Sequence, residues 1–233
     1  MKEIAVIGTG VIGTGWTARF LARGYKVKAW DSANGFSGRL HAEIERLWPT
    51  LERSGTNTAS SIENLTCVKE LSDACSNVEL VQESVPENLD IKKAVHSSLN
   101  DFCDQRVLIA SSSSGLLPTD IQSVHDHPER MLVGHPFNPV YLLPLVEIVP
   151  GQRTAGVNLE KAKRFYTSLN MRPLVVRKEI EGYLSDRLQE ALWREVLHLV
   201  NDGIATTEEL DDAITYGPGL RWAIMGTCLT FHL

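Results

Sequence analysis

The chain has 233 residues, 29 acidic against 23 basic, for a formal net charge of −6; 43% of it is hydrophobic and 22% charged. Those proportions fit a globular protein holding one large domain, or a nucleotide-sized domain with a smaller companion. The acidic balance argues against nucleic acid or an anionic membrane surface as a partner.

Taken in chain order, the first element is an apolar strand, Ile4–Ile7, running into Gly8-Thr9-Gly10-Val11-Ile12-Gly13 and a helical stretch, Trp16–Ala22. In this Gly-x-Gly-x-x-Gly spacing Gly8 permits a tight turn, Gly10 lets backbone approach a pyrophosphate, and Gly13 lets helix pack on strand. The helix N-terminus adds free N–H groups and a positive dipole end. A second strand, Lys26–Trp30, ends at Asp31, eighteen residues after Gly13. A carboxylate there accepts both ribose hydroxyls and repels a 2′-phosphate, so NAD rather than NADP is the expected cofactor.

Strand candidates continue at Leu65–Val68, Leu80–Gln82, Val107–Ala110, Met131–Gly134, Leu145–Val149 and Pro173–Arg177, with helices around Gly38–Arg53, Asn88–Phe102 and Leu159–Leu169. The alternation predicts a Rossmann-type α/β fold, a doubly wound, mostly parallel sheet covered on both faces. The Gly38–Arg53 helix opens an insertion expected to form an excursion over the cofactor cleft. After Glu179 the pattern changes: Leu188, Ala191, Leu192, Val196 and Leu199 recur at helical spacing through Ser185–Asn201. Helices are expected at Thr207–Tyr216, capped by Thr206 or Thr207, and at Leu220–His232. The domains are therefore drawn as 1–180, which binds the cofactor, and 181–233, a small all-α domain for substrate and dimerisation.

Two or three helices are thin for an independent core, and Phe231-His232-Leu233 ends an apolar helical run without a cap signal. A truncated C-terminus and a homodimer formed through the helices are the expectations. Cys67, Cys75, Cys103 and Cys228 show no Cys-x-x-Cys pair and no His at ligand spacing, so no metal site and a reducing cytoplasm are expected. The most apolar stretch, Val140–Val149, is short and contains Pro144 and Glu147, which predicts neither a signal peptide nor a membrane span.

Ligands of open α/β sheets bind beyond the carboxyl ends of the strands. Three polar features fall there: Ser111–Gly115, His135-Pro136-Phe137-Asn138-Pro139, and Glu147 in the following strand. A lone carboxylate inside Pro144–Val149 would be expensive to bury, so Glu147 needs a partner, and His135 is the best candidate. Such a pair suits oxidation of an alcohol. Neutral His accepts the hydroxyl proton as hydride leaves the same carbon, and the carboxylate fixes its tautomer. Ser114 would hydrogen-bond the reacting oxygen, and Asn138 would hold the nicotinamide ribose or carboxamide.

The serine run, the His-Pro-Phe-Asn-Pro segment and Glu147 together resemble the 3-hydroxyacyl-CoA dehydrogenase superfamily, from Lys2 through Leu233. The resemblance implies catalysis by His135 and Glu147 with help from Ser114, and cofactor contacts from Glu87, Lys92 and Asn138. Longer phrases, among them Gln82–Glu87, Ser114–Pro118, His127–Met131, Asn138–Glu147 and Ala191–Glu195, resemble the branch acting on small 3-hydroxy acids. That branch implies oxidation of L-carnitine to 3-dehydrocarnitine, with L-gulonate as the alternative. A 3-hydroxyacyl-CoA comes third, because Gly38–Arg53 lacks a lysine cluster for CoA phosphates.

One departure bears on the substrate. Acyl-CoA enzymes carry Asn in Gly-Phe-x-x-Asn-Arg-Leu, whereas here Gly182-Tyr183-Leu184-Ser185-Asp186-Arg187-Leu188 puts Asp186 at that position. A carboxylate favours a cationic substrate, and Tyr141, Trp193 and Trp222 are candidate aromatic walls for its ammonium group. Arg194 and Arg221 are candidate partners for the substrate carboxylate. A reading of another class, a non-catalytic crystallin-like NAD-binding protein or an inactive truncated chain, is opposed by the intact His–Glu pair and favoured by the abrupt end at Leu233.

Overall fold

The computed structural model describes residues 2–232, so Met1 and the chain end at Leu233 lie outside it. It divides into two compact units, with the boundary in the chain between Tyr183 and Leu184. The first unit is one eight-stranded sheet in the order β3-β2-β1-β4-β5-β6-β7-β8. Its strands are β1 (Glu3–Ile7), β2 (Lys26–Trp30), β3 (Leu65–Cys67), β4 (Leu80–Glu83), β5 (Leu108–Ser111), β6 (Met131–Pro136), β7 (Leu145–Pro150) and β8 (Arg172–Val175). Every neighbouring pair is parallel except β6–β7, which is antiparallel. The chain order reverses between β1 and β4, and a doubly wound sheet opens its ligand crevice at such a switch.

Helices cover both faces. On one side α1 (Val11–Ala22), α2 (Phe36–Arg53) and α6 (Gly156–Ser168) enclose a core centred on Trp16, Phe20, Leu47 and Tyr166. On the other, α3 (Leu71–Cys75), α4 (Leu89–Phe102) and α5 (Pro118–Gln122) bury Cys75, Leu99 and Ile121. With apolar neighbours above and below, the strands read as continuous hydrophobic runs; β4, β5 and β6 are buried at every position.

Helix α1 begins five residues before the expected Trp16, because Gly13 and Gly15 are helical despite their low propensity. Both are forced by close packing. A Cβ on Gly13 would meet the Gly8 carbonyl oxygen at 1.8 Å, and one on Gly15 would meet Val140 Cβ at 2.8 Å. The five-residue helices α3 and α5 had no periodic signal to reveal them.

The second unit contains α7 (Ser185–Asn201), α8 (Thr207–Thr215), α9 (Pro218–Trp222) and α10 (Thr227–His232). Thr206 caps α8 in a reciprocal box: its Oγ1 accepts from the Glu209 N–H at 3.2 Å, and Glu209 accepts from the Thr206 N–H at 2.8 Å. The single helix expected over Leu220–His232 is instead two. Helix α9 closes as Ile224 and Met225 N–H groups both bond to Arg221 O, and Gly226, a poor helix former, separates it from α10. No described residue of these four helices is buried; Leu188 and Trp193 on α7 are 72% and 53% exposed.

Candidate active site

The glycine turn is built as its spacing requires. Gly8 adopts φ +87°, and a Cβ there would stand 2.7 Å from the Ser84 backbone at the end of β4. Gly10 is different. Its φ of −66° suits any residue and a Cβ would meet nothing within 4 Å, so its missing side chain leaves open space. Gly10 is also the N-cap of α1, where no side chain caps the first-turn N–H groups. That is a cradle for a phosphate pair.

Asp31 stands beside this turn. Its Oδ2 accepts from Thr9 N at 2.7 Å and Thr9 Oγ1 at 2.9 Å, and its Oδ1 accepts from Ala33 N at 2.8 Å. Three donors fix the carboxylate while leaving acceptor capacity on its roughly four lone-pair sites. The donor set and the open cradle both fit a dinucleotide.

The antiparallel turn from β6 to β7 sets His135 directly opposite Glu147. Their side chains meet, His135 Nδ1 to Glu147 Oε2, at 3.0 Å; Glu147 is fully buried and His135 nearly so. Directly opposed cross-strand residues sit about 5 Å apart at Cβ, the right span for an imidazole–carboxylate contact. Phe137 and Tyr183 pack edge-on against the imidazole, with centroids at 5.4 and 5.5 Å. Tyr183 also donates its hydroxyl to Leu116 O at 2.7 Å, tying the ring to the segment after the serine run.

His135 lines a cavity of about 300 Å³ together with Gly10, Val11, Ile12, Glu87 and Ser114. The four serines divide by the two-residue period of extended chain: Ser111 and Ser113 are buried, whereas Ser112 and Ser114 reach the cavity. Glu87 holds this run in place, its Oε1 accepting from Ser113 Oγ at 2.5 Å, Ser114 N at 3.0 Å and Gly115 N at 3.1 Å. Burial would raise the Glu87 carboxyl, but the Ser113 hydroxyl, the Lys92 charge and these N–H groups hold it below its ordinary range. Lys92 is 1% exposed, and its ammonium reaches Glu83 Oε1 at 2.9 Å, Val85 O at 3.2 Å and Glu87 Oε2 at 3.4 Å.

Asn138 and Tyr141 line a second cavity, about 510 Å³, with Thr9, Gly10 and the α2 residues Arg39 and Glu43. The excursion after β2 thus flanks the glycine turn. Asp186, Trp193 and Arg194 stand on α7 and Trp222 ends α9, all in the second unit. Asp186 and Trp193 share a face two turns apart, about 10 Å along the axis.

Sequence reading gives no individual role to Glu83, His96, Ser111, Phe137 or Tyr183. Glu83 had a usable signal, an acid ending the apolar run Leu80-Val81, which is the same anomaly that exposed Glu147. His96 and Tyr183 had none, since their partners lie 13 and 48 residues away.

The fold and cradle define an NAD-dependent oxidoreductase. The chain belongs to the 3-hydroxyacyl-CoA dehydrogenase family: the NAD binding domain of that family matches residues 3–180 and its C-terminal domain residues 182–233. L-carnitine dehydrogenase of Oceanobacillus iheyensis is 54% identical over 233 residues, all of this chain and 76% of that protein. Its counterpart in Pseudomonas aeruginosa is 52% identical, over all of this chain and 73% of its own length. Among solved structures, 5-formyl-3-hydroxy-2-methylpyridine 4-carboxylic acid 5-dehydrogenase, an NAD+ dependent dismutase, superposes with a TM-score of 0.92 at 32% identity, covering 98% of this chain and 74% of that one. Escherichia coli 3-hydroxybutyryl-CoA dehydrogenase superposes at 0.83 with 25% identity, over 91% and 46%. The chain is an NAD-dependent dehydrogenase of a 3-hydroxy substrate.

Proposed function

We propose that this protein oxidises the 3-hydroxyl of L-carnitine to 3-dehydrocarnitine, with His135 as general base. The observation that carries the proposal is the buried His135–Glu147 contact at 3.0 Å on the wall of a cavity shared with the glycine turn. Identity near one half, over the whole chain, to proteins named L-carnitine dehydrogenase supports the choice of substrate.

Bound NAD+ supplies the acceptor for the hydride. The residues of the chain do the rest. Glu147, a carboxylate and therefore only an acceptor, requires the proton on Nδ1 and directs Nε2 to take the hydroxyl proton. It then stabilises the imidazolium that results. Ser114 hydrogen-bonds the substrate oxygen as it becomes a carbonyl. Gly8–Gly13 and α1 hold the pyrophosphate, Asp31 the adenosine ribose, and Glu87 and Asn138 the nicotinamide half. Asp186 draws in the substrate's trimethylammonium, with Trp193 and Trp222 of the same unit as aromatic surface and Arg194 for the carboxylate.

The second unit serves substrate binding and dimerisation. Its helices bury no described residue and expose Leu188, Trp193, Leu220 and Ile224, an apolar surface that suits the same unit of a second copy. Four unpaired thiols suit the cytoplasm.

The test is NADH formation with L-carnitine, L-gulonate and a 3-hydroxyacyl-CoA offered separately. Turnover of L-carnitine with a kcat/KM at least about tenfold above the others supports the proposal, the step that one well-made polar contact provides. Preference for either of the others refutes the substrate. Asp186→Asn should raise the KM for L-carnitine and spare L-gulonate; equal effects on both would remove Asp186 from cation recognition.

A further inference from the structure

Glu83 is fully buried at the end of β4 and takes part in none of the chemistry above, yet four donors converge on it. Its Oε1 accepts from Lys92 Nζ at 2.9 Å and Val85 N at 2.7 Å. Its Oε2 accepts from Ser111 Oγ at 2.6 Å and meets His96 Nε2 at 3.0 Å. Burial pushes the carboxyl upward, and His96, Lys92 and Ser111 together hold it well below its ordinary range. An ionised Glu83 only accepts, so His96 carries its proton on Nε2.

These bonds reach two of the segments that wall the 300 Å³ cavity. Through Val85 N and the Lys92 ammonium, Glu83 grips the Ser84–Glu87 segment; through Ser111, whose Oγ also accepts from Ser113 N at 3.3 Å, it grips the serine run. Lys92 then joins Glu83 to Glu87, which in turn binds Ser113, Ser114 and Gly115. One carboxylate fixes both walls.

We propose that Glu83 is a positioning residue for the nicotinamide half of the cofactor, acting through Lys92 and Ser111 on Glu87 and the Ser113–Gly115 turn. This rests on the reading that the cavity beside His135 receives the nicotinamide. Lys92, which also lines the cavity, is then the link from Glu83 to Glu87.

The experiment compares affinity for NADH, by its fluorescence, with affinity for ADP-ribose, which lacks the nicotinamide, by calorimetry. Two variants are read: Glu83→Gln, which removes the charge at constant shape, and the double variant Glu83→Leu/Lys92→Met, which replaces the ion pair by apolar groups of similar size. Such replacements generally keep or restore stability. The expectation is NADH binding weaker by about tenfold in both variants, with ADP-ribose within about twofold of wild type, the loss of one charge-assisted contact on one half of the ligand. The double variant should melt within about 3 °C of wild type, a change below about 1 kcal/mol for a chain of this size. If the double variant recovers NADH affinity along with its melting temperature, or if both ligands weaken together, Glu83 is a structural ion pair and the proposal fails. Ser114→Trp, which fills the cavity, checks the underlying reading. An unchanged NADH-to-ADP-ribose ratio in that variant overturns the placement of the nicotinamide and this proposal with it. A changed ratio there, with wild-type ratios in both Glu83 variants, overturns the positioning role alone.

Discussion

Gly10→Ala and Gly13→Ala add one methyl group each, three residues apart in the same turn, with opposite expected consequences. At Gly13 the new Cβ would stand 1.8 Å from the Gly8 carbonyl oxygen and 2.9 Å from its carbon, both backbone atoms that cannot rotate away. The turn or helix α1 must shift. Overpacking of this kind costs about 1–3 kcal/mol or more, against roughly 1 kcal/mol regained from the better helix propensity of Ala. A 1.8 Å approach to a backbone atom puts the cost at the upper end, about 3 kcal/mol, and the net loss near 2 kcal/mol lowers the melting temperature by about 4–8 °C in a chain of this size.

At Gly10 the backbone, with φ −66° and ψ −166°, already suits an L-residue, and the Cβ meets nothing within 4 Å. The folded state tolerates the methyl group, and the stiffer unfolded chain adds up to about 1 kcal/mol of stability. The methyl group instead occupies the approach to the α1 N-terminus. One or two charge-assisted hydrogen bonds to phosphate lengthen or break, at about 1.5–3 kcal/mol each, so the NADH dissociation constant should rise roughly tenfold to a hundredfold or more. Thermal melts without cofactor and NADH fluorescence titrations separate the two effects. A Gly10→Ala protein that binds NADH normally, or that melts several degrees below wild type, would refute the account of this turn.

Glu147→Gln should lower kcat for the preferred hydroxy acid by roughly 10²–10⁴, the range of general base catalysis, and leave NADH affinity within about twofold; parallel loss of NADH binding would show a packing defect instead. Asp31→Asn should improve the NADP+ dissociation constant about tenfold by removing like-charge repulsion, at a stability cost of about 1–3 kcal/mol because one amide hydrogen must face Thr9 N or Ala33 N; unchanged discrimination would exclude Asp31 from the ribose site. Burial, His96, Arg130 and Arg153 push His125 down to about 3. Above its ordinary value near 6.5 the residue is neutral in both states; as pH falls below that, the unfolded chain takes up a proton that the fold refuses, and stability drops by up to about 1.4 kcal/mol per pH unit until pH 3. His125→Asn should flatten that slope in urea midpoints between pH 6.5 and 4.5, and an identical slope would discard His125 as its source.

The parallel half of the sheet was legible because its signals are local. Apolar runs bounded by glycines and polar turns mark β1, β2, β4 and β5 within a residue or two of their limits. Helix α1 was misjudged at its start for a physical reason: glycine propensity pointed to a loop through Gly15, while tertiary contact with Gly8 and Val140 required glycine within a helix. The break at Gly226 shows the converse. There the apolar pattern of Leu220–His232 argued for one helix, and no packed neighbour overrode the glycine.

Glu147 and Glu83 show how far a buried acid can be traced from sequence. Both are fully buried, each bonded to a residue that lines the cavity, and both violate the apolar pattern of their strands. Glu147 could be paired from sequence because its partner lies twelve residues away, within reach of one antiparallel turn, and chemistry supplied the reason for a His. Glu83 could not. Its partners Lys92, His96 and Ser111 arrive from a helix and a neighbouring parallel strand, and a parallel crossover brings together residues whose spacing in sequence carries no period. A buried acid in a parallel strand therefore announces that partners exist and withholds which ones. The two acids also divide the labour. In the proposed reaction Glu147 sets the protonation of the ring at the reacting atom, whereas Glu83 accepts from four donors that join α4, the segment after β4 and the serine run.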